Sequence, residues 1–204
     1  MSRSRDGEPT FTETARRAQI VQAAITTVNE VGYPRASLAA IASRAGVAKS
    51  GIMYYFATKD ALLLHVVEQV FTALDDLLAE GVALHPDPES QLRAYVDTYL
   101  AYVGAHRSEV AAGVEIVVSH RGTDGTPLYL TATDEDSALL RGILRDGMEA
   151  GVFRRMSLRL AVGLVEALLE VPTTELQRDL NADLTDALRE VGPAILRSLA
   201  TGPD

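Results

Sequence analysis

Residues 37–60 read SLAAIASRAGVAKSGIMYYFATKD, and the spacing within this stretch decides the fold of the N-terminal part of the chain. Ser37 is a good N-cap, because its hydroxyl can accept a hydrogen bond from one of the free amides that open a helix, and Leu38, Ile41, Ala42 and Ala45 follow at helical intervals. Gly46 stands where the chain should leave that helix in a left-handed conformation, which a residue without a Cβ adopts at least cost, and Val47 can plug the corner. The spacing predicts a second helix from about Lys49 to Phe56. Ile52 and Phe56 lie four apart on its buried side, and Lys49, Ser50, Met53, Tyr54 and Tyr55 are left to face outward. The small side chain of Ala42 lets the two helices cross closely. This is the layout of a helix-turn-helix, whose second helix lies in the major groove with its N-terminal residues at base edges while its partner crosses the phosphate backbone.

Charge is divided in the same sense. The net charge is −9, yet residues 1–60 hold 8 Lys and Arg against 5 Asp and Glu, whereas residues 61–204 hold 11 against 23. Both lysines of the chain, Lys49 and Lys59, fall in the first part. A basic head on an acidic body would orient the molecule on a polyanion, with the head drawn to phosphate.

With these blocks in place, the chain resembles the TetR type of transcription regulator, a family of dimeric, ligand-responsive helical DNA-binding proteins. The resemblance runs from RRAQIVQAAITTVNEVGY at 16–33 through ASLAAIASRAGVAKSGIMYYF at 36–56 and closes with TKDALL at 58–63, about a quarter of the chain. The run from Gly51 into the YF at 55–56 is similar to the ending in the BetI subgroup. By this resemblance Lys49, Ser50, Gly51, Met53 and Tyr54 approach bases or nearby backbone, while Ser37, Arg44, Tyr55 and Lys59 meet phosphate. Arg3 and Arg5, in a flexible basic tail over 1–11, either form a minor-groove arm or are ordinary solvated residues. The sequence departs from the pattern at Ala48, where many relatives carry a capping Ser or Thr; losing that cap costs roughly 1 kcal/mol. Gly51 and Met53 also stand where relatives often carry Thr or Ser and Tyr, so base contacts do not transfer directly to them.

The remainder, 61–204, reads as a helical ligand-binding and dimerisation body behind a 12–60 DNA-binding head, giving an all-α chain of about nine helices. Leu62, Leu63, Val66, Val70, Leu74 and Leu78 continue one long amphipathic helix from Lys59 until His85-Pro86-Asp87-Pro88 breaks it. Leu92, Tyr95, Val96, Tyr99, Leu100 and Val103 share a face over 89–105, and a shorter apolar segment spans 110–118. RGTDGTP at 121–127 is a loop; a helix is expected from Leu128 to Val152, ending at Gly151. Two last helices, at 157–171 and 174–199, are expected on either side of Pro172. Leu164 and Leu168 on one, and Leu180, Leu184, Leu188, Val191 and Ile195 on the other, recur at three- and four-residue intervals. One protomer would hardly cover both stripes, which predicts a homodimer through a four-helix bundle and hence a palindromic operator. Ordinary intrachain core is the competing reading of the same stripes.

Relatives bind small inducers among the body helices. Tyr95, Tyr99 and Tyr102 lie at helical spacing, and Glu115 interrupts the run AAGVEIVV, so an aromatic pocket with Glu115, His120 or a tyrosine hydroxyl as polar anchors is the expected ligand site. Against it stands the reading of these tyrosines as core with their hydroxyls at the surface, and of Glu115 as the partner of an Arg.

Other classes find less support. The chain has no cysteine, so disulfides, thiolate metal sites and cysteine nucleophiles are excluded. His106, Glu109, Glu115 and His120 form neither an HExxH nor a repeated ExxH, and Ser119-His120 lacks a glycine-flanked nucleophile turn, so neither a di-iron nor a hydrolytic helical-bundle enzyme is indicated. No metal and no cofactor are expected. MSRSRDGEPTF at the N-terminus has no apolar segment of signal-peptide length and no later run reaches membrane-spanning length, so a soluble, cytoplasmic protein is expected. An architectural DNA-binding protein without an inducer is the third possibility; steep salt dependence with little sequence preference would mark it.

Overall fold

A computed structural model describes residues 11–133 and 135–201 of the chain. The basic tail over 1–10, with Arg3 and Arg5, lies outside the described residues. Among the described residues nine α-helices follow one another, with no β-strand and only two isolated bridges. The head consists of α1 (Phe11–Val31), a 3-10 turn at Tyr33–Arg35, α2 (Leu38–Arg44) and α3 (Lys49–Tyr55). The body consists of α4 (Lys59–Ala83), α5 (Pro88–Ala105), α6 (Arg107–Ser119), α7 (Ala138–Glu149), α8 (Leu158–Arg178) and α9 (Thr185–Leu199). No helix among the described residues is long and apolar enough to cross a membrane.

Local chemistry accounts for the helix ends. The Thr58 hydroxyl caps α4 by accepting from the Ala61 amide, Asp87 caps α5 through the Ser90 amide, and Ser157 caps α8 through the Leu160 amide. Pro88 stands in the first turn of α5, where its missing N–H costs nothing. Two apolar cores result. The first runs unbroken from the head into the body, joining Ile20, Ile41 and Ile52 to Leu62, Ile116 and Leu176. The second fills the far end of the body with Leu92, Val96, Leu144, Phe153, Val165 and Ile195. The long α4 follows from its apolar stripe, which packs on α5 and α6 along its length.

Three expectations are corrected. The segment expected as one helix from Leu128 to Val152 is a 3-10 turn at Leu128–Leu130, an irregular stretch, and then α7. Asp136 accepts from the amide and hydroxyl of Thr133, and Thr133 Oγ1 accepts from the Glu135 amide, so side chains take the place of a helical ladder there. Pro172 does not separate two helices; α8 runs through it, the proline is buried, and Thr173 Oγ1 donates to the Glu170 carbonyl. The break comes at 179–184 instead, where Asp179 accepts from the Asn181 amide and Asp183 from the Thr185 amide.

The third correction concerns the leucine stripe of α9. Leu184, Val191 and Ile195 are buried within a single protomer, and Leu180 and Leu188 pack half-buried against the same cores. They are intrachain core because α9 lies against α5 and α8, with Gly192 close to Val96 and Gly104 close to Leu188. Leu164 and Leu168 on α8 are half-buried.

Candidate DNA-facing head and its junction with the body

The corner between α2 and α3 is built as its residues require. Ser37 Oγ accepts from the Ala40 amide at 3.2 Å, and Gly46 adopts φ +62°, with its amide donating to the Ser43 carbonyl and that of Val47 to the Ala42 carbonyl. α3 then starts at Lys49 behind Ala48, which supplies no side-chain cap. Ile52 is fully buried and Phe56 nearly so, which fixes the rotation of α3 and turns the other face out. On that face Lys49 and Ser50 are exposed, as are Met53 at 51% and Tyr54 at 73%, large apolar and aromatic exposures for so short a helix. The Tyr54 and Tyr55 rings meet edge to face at 4.9 Å, and Tyr54 leans toward Glu13 on α1. Gly51 is half-buried with space for a Cβ, and Tyr55 packs partly into the core.

Not every residue assigned to DNA by resemblance is equally presented. Ser37 is exposed with its hydroxyl committed to the cap. The Arg44 guanidinium pairs with Glu30 and donates to Thr27 Oγ1, so it would have to exchange these partners for a phosphate. Lys59 Nζ donates to the Tyr33 carbonyl at 2.6 Å and sits 4.4 Å above the Tyr33 ring; its removal from water lowers its pKa. Lys59 thus fastens the start of α4 to the turn after α1.

That turn is also the joint between head and body. The Tyr33 amide donates to Glu115 Oε1 on α6, which accepts from Ser119 Oγ as well. The Tyr33 hydroxyl lies 2.7 Å from Nδ1 of the buried His120 and 3.3 Å from Asp60. Which of the Tyr33 hydroxyl and His120 Nδ1 donates in the shorter contact is set by the imidazole tautomer. Burial above all, with Asp60 adding to it and Arg121 opposing, pushes the Tyr33 hydroxyl up to about 12. One helical turn away, Asn29 Nδ2 donates to the carbonyl and hydroxyl oxygens of Ser108. Replacing Tyr33 by Phe leaves His120 and Asp60 without their shared partner and should cost about 1–2 kcal/mol in urea unfolding. A change below about 0.5 kcal/mol would show that the hydroxyl contributes nothing to the joint.

The expected pocket residues are dispersed. Glu115 and His120 belong to the joint just described. Tyr102 is buried, donates to the Val70 carbonyl at 2.9 Å and stacks on His106 with ring centres 4.3 Å apart, which is structural use. Tyr95 and Tyr99 sit where the two cores meet, and neither hydroxyl makes a hydrogen bond among the described residues. Burial raises the pKa of both, Tyr99 to about 12, with the Glu166 carboxylate adding to each. A cleft of about 400 Å³ opens beside Tyr95, between α4 and the segment leading into α7. Its other wall, Asp75 and Asp136, carries no local signal, because the two are brought together by the approach of α4 to an irregular stretch. Among the described residues no group of three or more His, Asp or Glu side chains could hold a metal ion.

Comparison with known proteins agrees with this geometry. Residues 20–66 match the model of the family described as bacterial regulatory proteins, tetR family. The HTH-type transcriptional regulator BetI of Stenotrophomonas maltophilia is 37% identical over 86 residues, which are 42% of this chain and 44% of that protein. The BetI 1 regulator of Chromohalobacter salexigens is 39% identical over 83 residues, 40% and 41% of the two chains. The chain thus spans under half the length of the curated relatives it matches. In fold the match extends further. The fatty acid degradation regulator FadR from Bacillus halodurans superposes with a TM-score of 0.74 at 26% identity, covering 94% of this chain and 97% of that one. FadR from Bacillus subtilis, solved in complex with stearoyl-CoA, superposes with a TM-score of 0.70 at 22% identity over 92% and 99%. The head is thus similar in sequence to the tetR family over residues 20–66, and the whole chain is similar in fold to the solved FadR regulators.

Proposed function

We propose that this chain is a ligand-responsive transcription regulator of the cytoplasm, acting as a homodimeric repressor that a small molecule releases from a palindromic operator. The observation that carries this reading is the outer face of α3, where Lys49, Ser50, Met53 and Tyr54 stand exposed on a helix held in place by Ile52 and Phe56. The side chains are long or polar enough to reach base edges and phosphates, and the acidic body keeps every other face off the duplex. Release requires that the ligand bind two arrangements of head and body unequally. The joint at Tyr33, Glu115 and His120 and the long α4 are the physical connections through which such a difference passes.

A palindromic operator needs two heads. On α8 the residues Leu160, Gly163, Ala167 and Val171 recur on one face that the protomer leaves exposed, with Leu160 at 55% and Val171 at 41%, and Gly163 has open space above it. This face, rather than the buried stripe of α9, is the one we assign to the symmetry mate. Small residues at its centre allow a close helix crossing.

Selection of bound fragments from random duplex DNA tests the reading directly. A symmetric consensus is expected, and Lys49→Ala should weaken binding to it about ten-fold while lowering the salt slope by about one. Binding with a steep salt slope and no consensus would favour the inducer-independent architectural reading instead.

A further inference from the structure

A crevice of about 430 Å³ opens between head and body. Val28, Asn29 and Gly32 line it from α1, Ala111 and Glu115 from α6, and the stretch from Leu176 to Asn181 from the end of α8 and the turn after it. It shares no lining residue with the cleft beside Tyr95. Its sides are fastened to one another: Asn29 Nδ2 donates to Ser108 on α6, and Arg107 at the start of α6 donates to the Leu180 and Ala182 carbonyls of the turn.

The polar atoms of this crevice are not all used. Glu115 is half-buried, and the Tyr33 amide and the Ser119 hydroxyl both donate to its Oε1. Its Oε2 accepts nothing, and no Lys, Arg or His pairs with the carboxylate, among the described residues. Asn29 Oδ1 is likewise without a donor among the described residues. No buried side-chain oxygen among the described residues lacks a partner, so these two oxygens are open to the crevice. The other charges of the lining are engaged: Arg178 lies 2.8 Å from Glu175 on its own helix, and Asp179 accepts from the Asn181 amide. α1 ends here with no basic residue in its last turn, so its carbonyl end adds negative potential.

We propose that this crevice binds a small aliphatic primary amine in its protonated form, with Glu115 Oε2 and Asn29 Oδ1 accepting from the ammonium and Leu176 and Leu180 flanking its chain. A carboxylate that has already lost part of its water and has no counter-charge is where an ammonium gains most. A primary ammonium brings three N–H donors to oxygens that lack them, whereas a quaternary ammonium brings none and a carboxylate is repelled. Because the two acceptors belong to α1 and α6, the bound amine bridges head and body and reinforces the joint at Tyr33. This second site goes beyond the regulator reading and does not depend on it.

Amide spectra of the full chain titrated with n-hexylamine near neutral pH and at moderate salt, set against hexyltrimethylammonium and 1-hexanol, test it. Saturable shifts centred on the amides of Gly32, Ala111 and Leu180 are expected, with a Kd on the order of 1 mM and both controls at least about ten-fold weaker. Glu115→Gln keeps an acceptor for the Tyr33 amide but removes the charge, and should weaken the amine about ten-fold. Asn181→Arg, at an exposed rim residue, should weaken it at least about three-fold through like charge, and decides the matter if the Gln variant loses its native spectrum. Saturating amine should also slow hydrogen exchange of the Tyr33 amide at least about three-fold. Absence of saturation up to about 20 mM overturns the site, as do shifts centred on the cleft beside Tyr95, equal affinity for either control, and indifference to both substitutions. Binding with unchanged exchange at Tyr33 overturns the bridging of head and body. No operator enters these readouts, so a protein that takes the amine but selects no duplex overturns the regulator reading alone.

Discussion

Replacing Gly147 by Ala should destabilise the protein by about 3 kcal/mol, although alanine is the better helix former by about 1 kcal/mol. The cause is a ring. A Cβ at Gly147 would lie 2.1 and 2.2 Å from two ring atoms of Phe153. Phe153 has little room to give way, since it is 4% exposed and belongs to the second core. Its backbone is held as well: the amides of Val152 and Phe153 both donate to the Gly147 carbonyl, after Gly151 turns the chain at φ +74°. The Arg154 amide then donates to the Leu199 carbonyl, which ties this corner to the end of α9. Thermal unfolding should show a fall of roughly 6–12 °C for a chain of this size. An unchanged or raised midpoint would mean that the ring moves freely, and that the corner is not the rigid wedge described.

The second large effect separates core from interface. Ile195→Ala should cost about 2–5 kcal/mol in protomer stability through the cavity it leaves, while the dimer persists in sedimentation equilibrium. Val171→Asp should do the opposite, since it places two like charges across a two-fold axis at a residue that is 41% exposed within the protomer. Gly163→Ala adds a finer discrimination. With nothing above it in the protomer, it should raise monomer stability by up to about 1 kcal/mol while forcing apart the two α8 helices. Dissociation by Ile195→Ala at unchanged stability would return the α9 stripe to the interface and overturn our assignment of α8. Because a dimer's stability depends on protomer concentration, all variants are compared at one concentration.

The head was legible because its signals are local. A capping Ser37, a glycine at Gly46 that needs positive φ, and Ile52 and Phe56 spaced one turn apart all act within a few residues of one another. The missing cap at Ala48 was equally visible. The body was legible in class and in its longest helix, but Pro172 misled as a breaker because tertiary packing buries it inside α8. The true stop lay in the short repeated motif of Asp179 and Asp183, each closing an Asx turn. The stripe of α9 had a periodicity that fits core and interface alike, and only the placement of α5 and α8 against it decides between them. The candidate site divides on the same principle. Spacing marks the face on which Tyr95 lies, whereas Asp75 and Asp136 come together only through the approach of elements sixty residues apart, and Glu115 and His120 are taken up by the joint at Tyr33.

α4 begins against the head, at the lysine clasped by Tyr33, and reaches the acidic cleft at Asp75 without a break. The two points are about 24 Å apart along the rod. Tilting such a rod by about 5° about its cleft end sweeps the other end through about 2 Å. Two protomers tilting in opposite senses would change the separation of their reading helices by up to about 4 Å, against a groove repeat of about 34 Å that rigid duplex does not stretch to follow. An effector thus need not unfold or uncover anything: a modest angular error, doubled by symmetry, is enough to put both halves out of step.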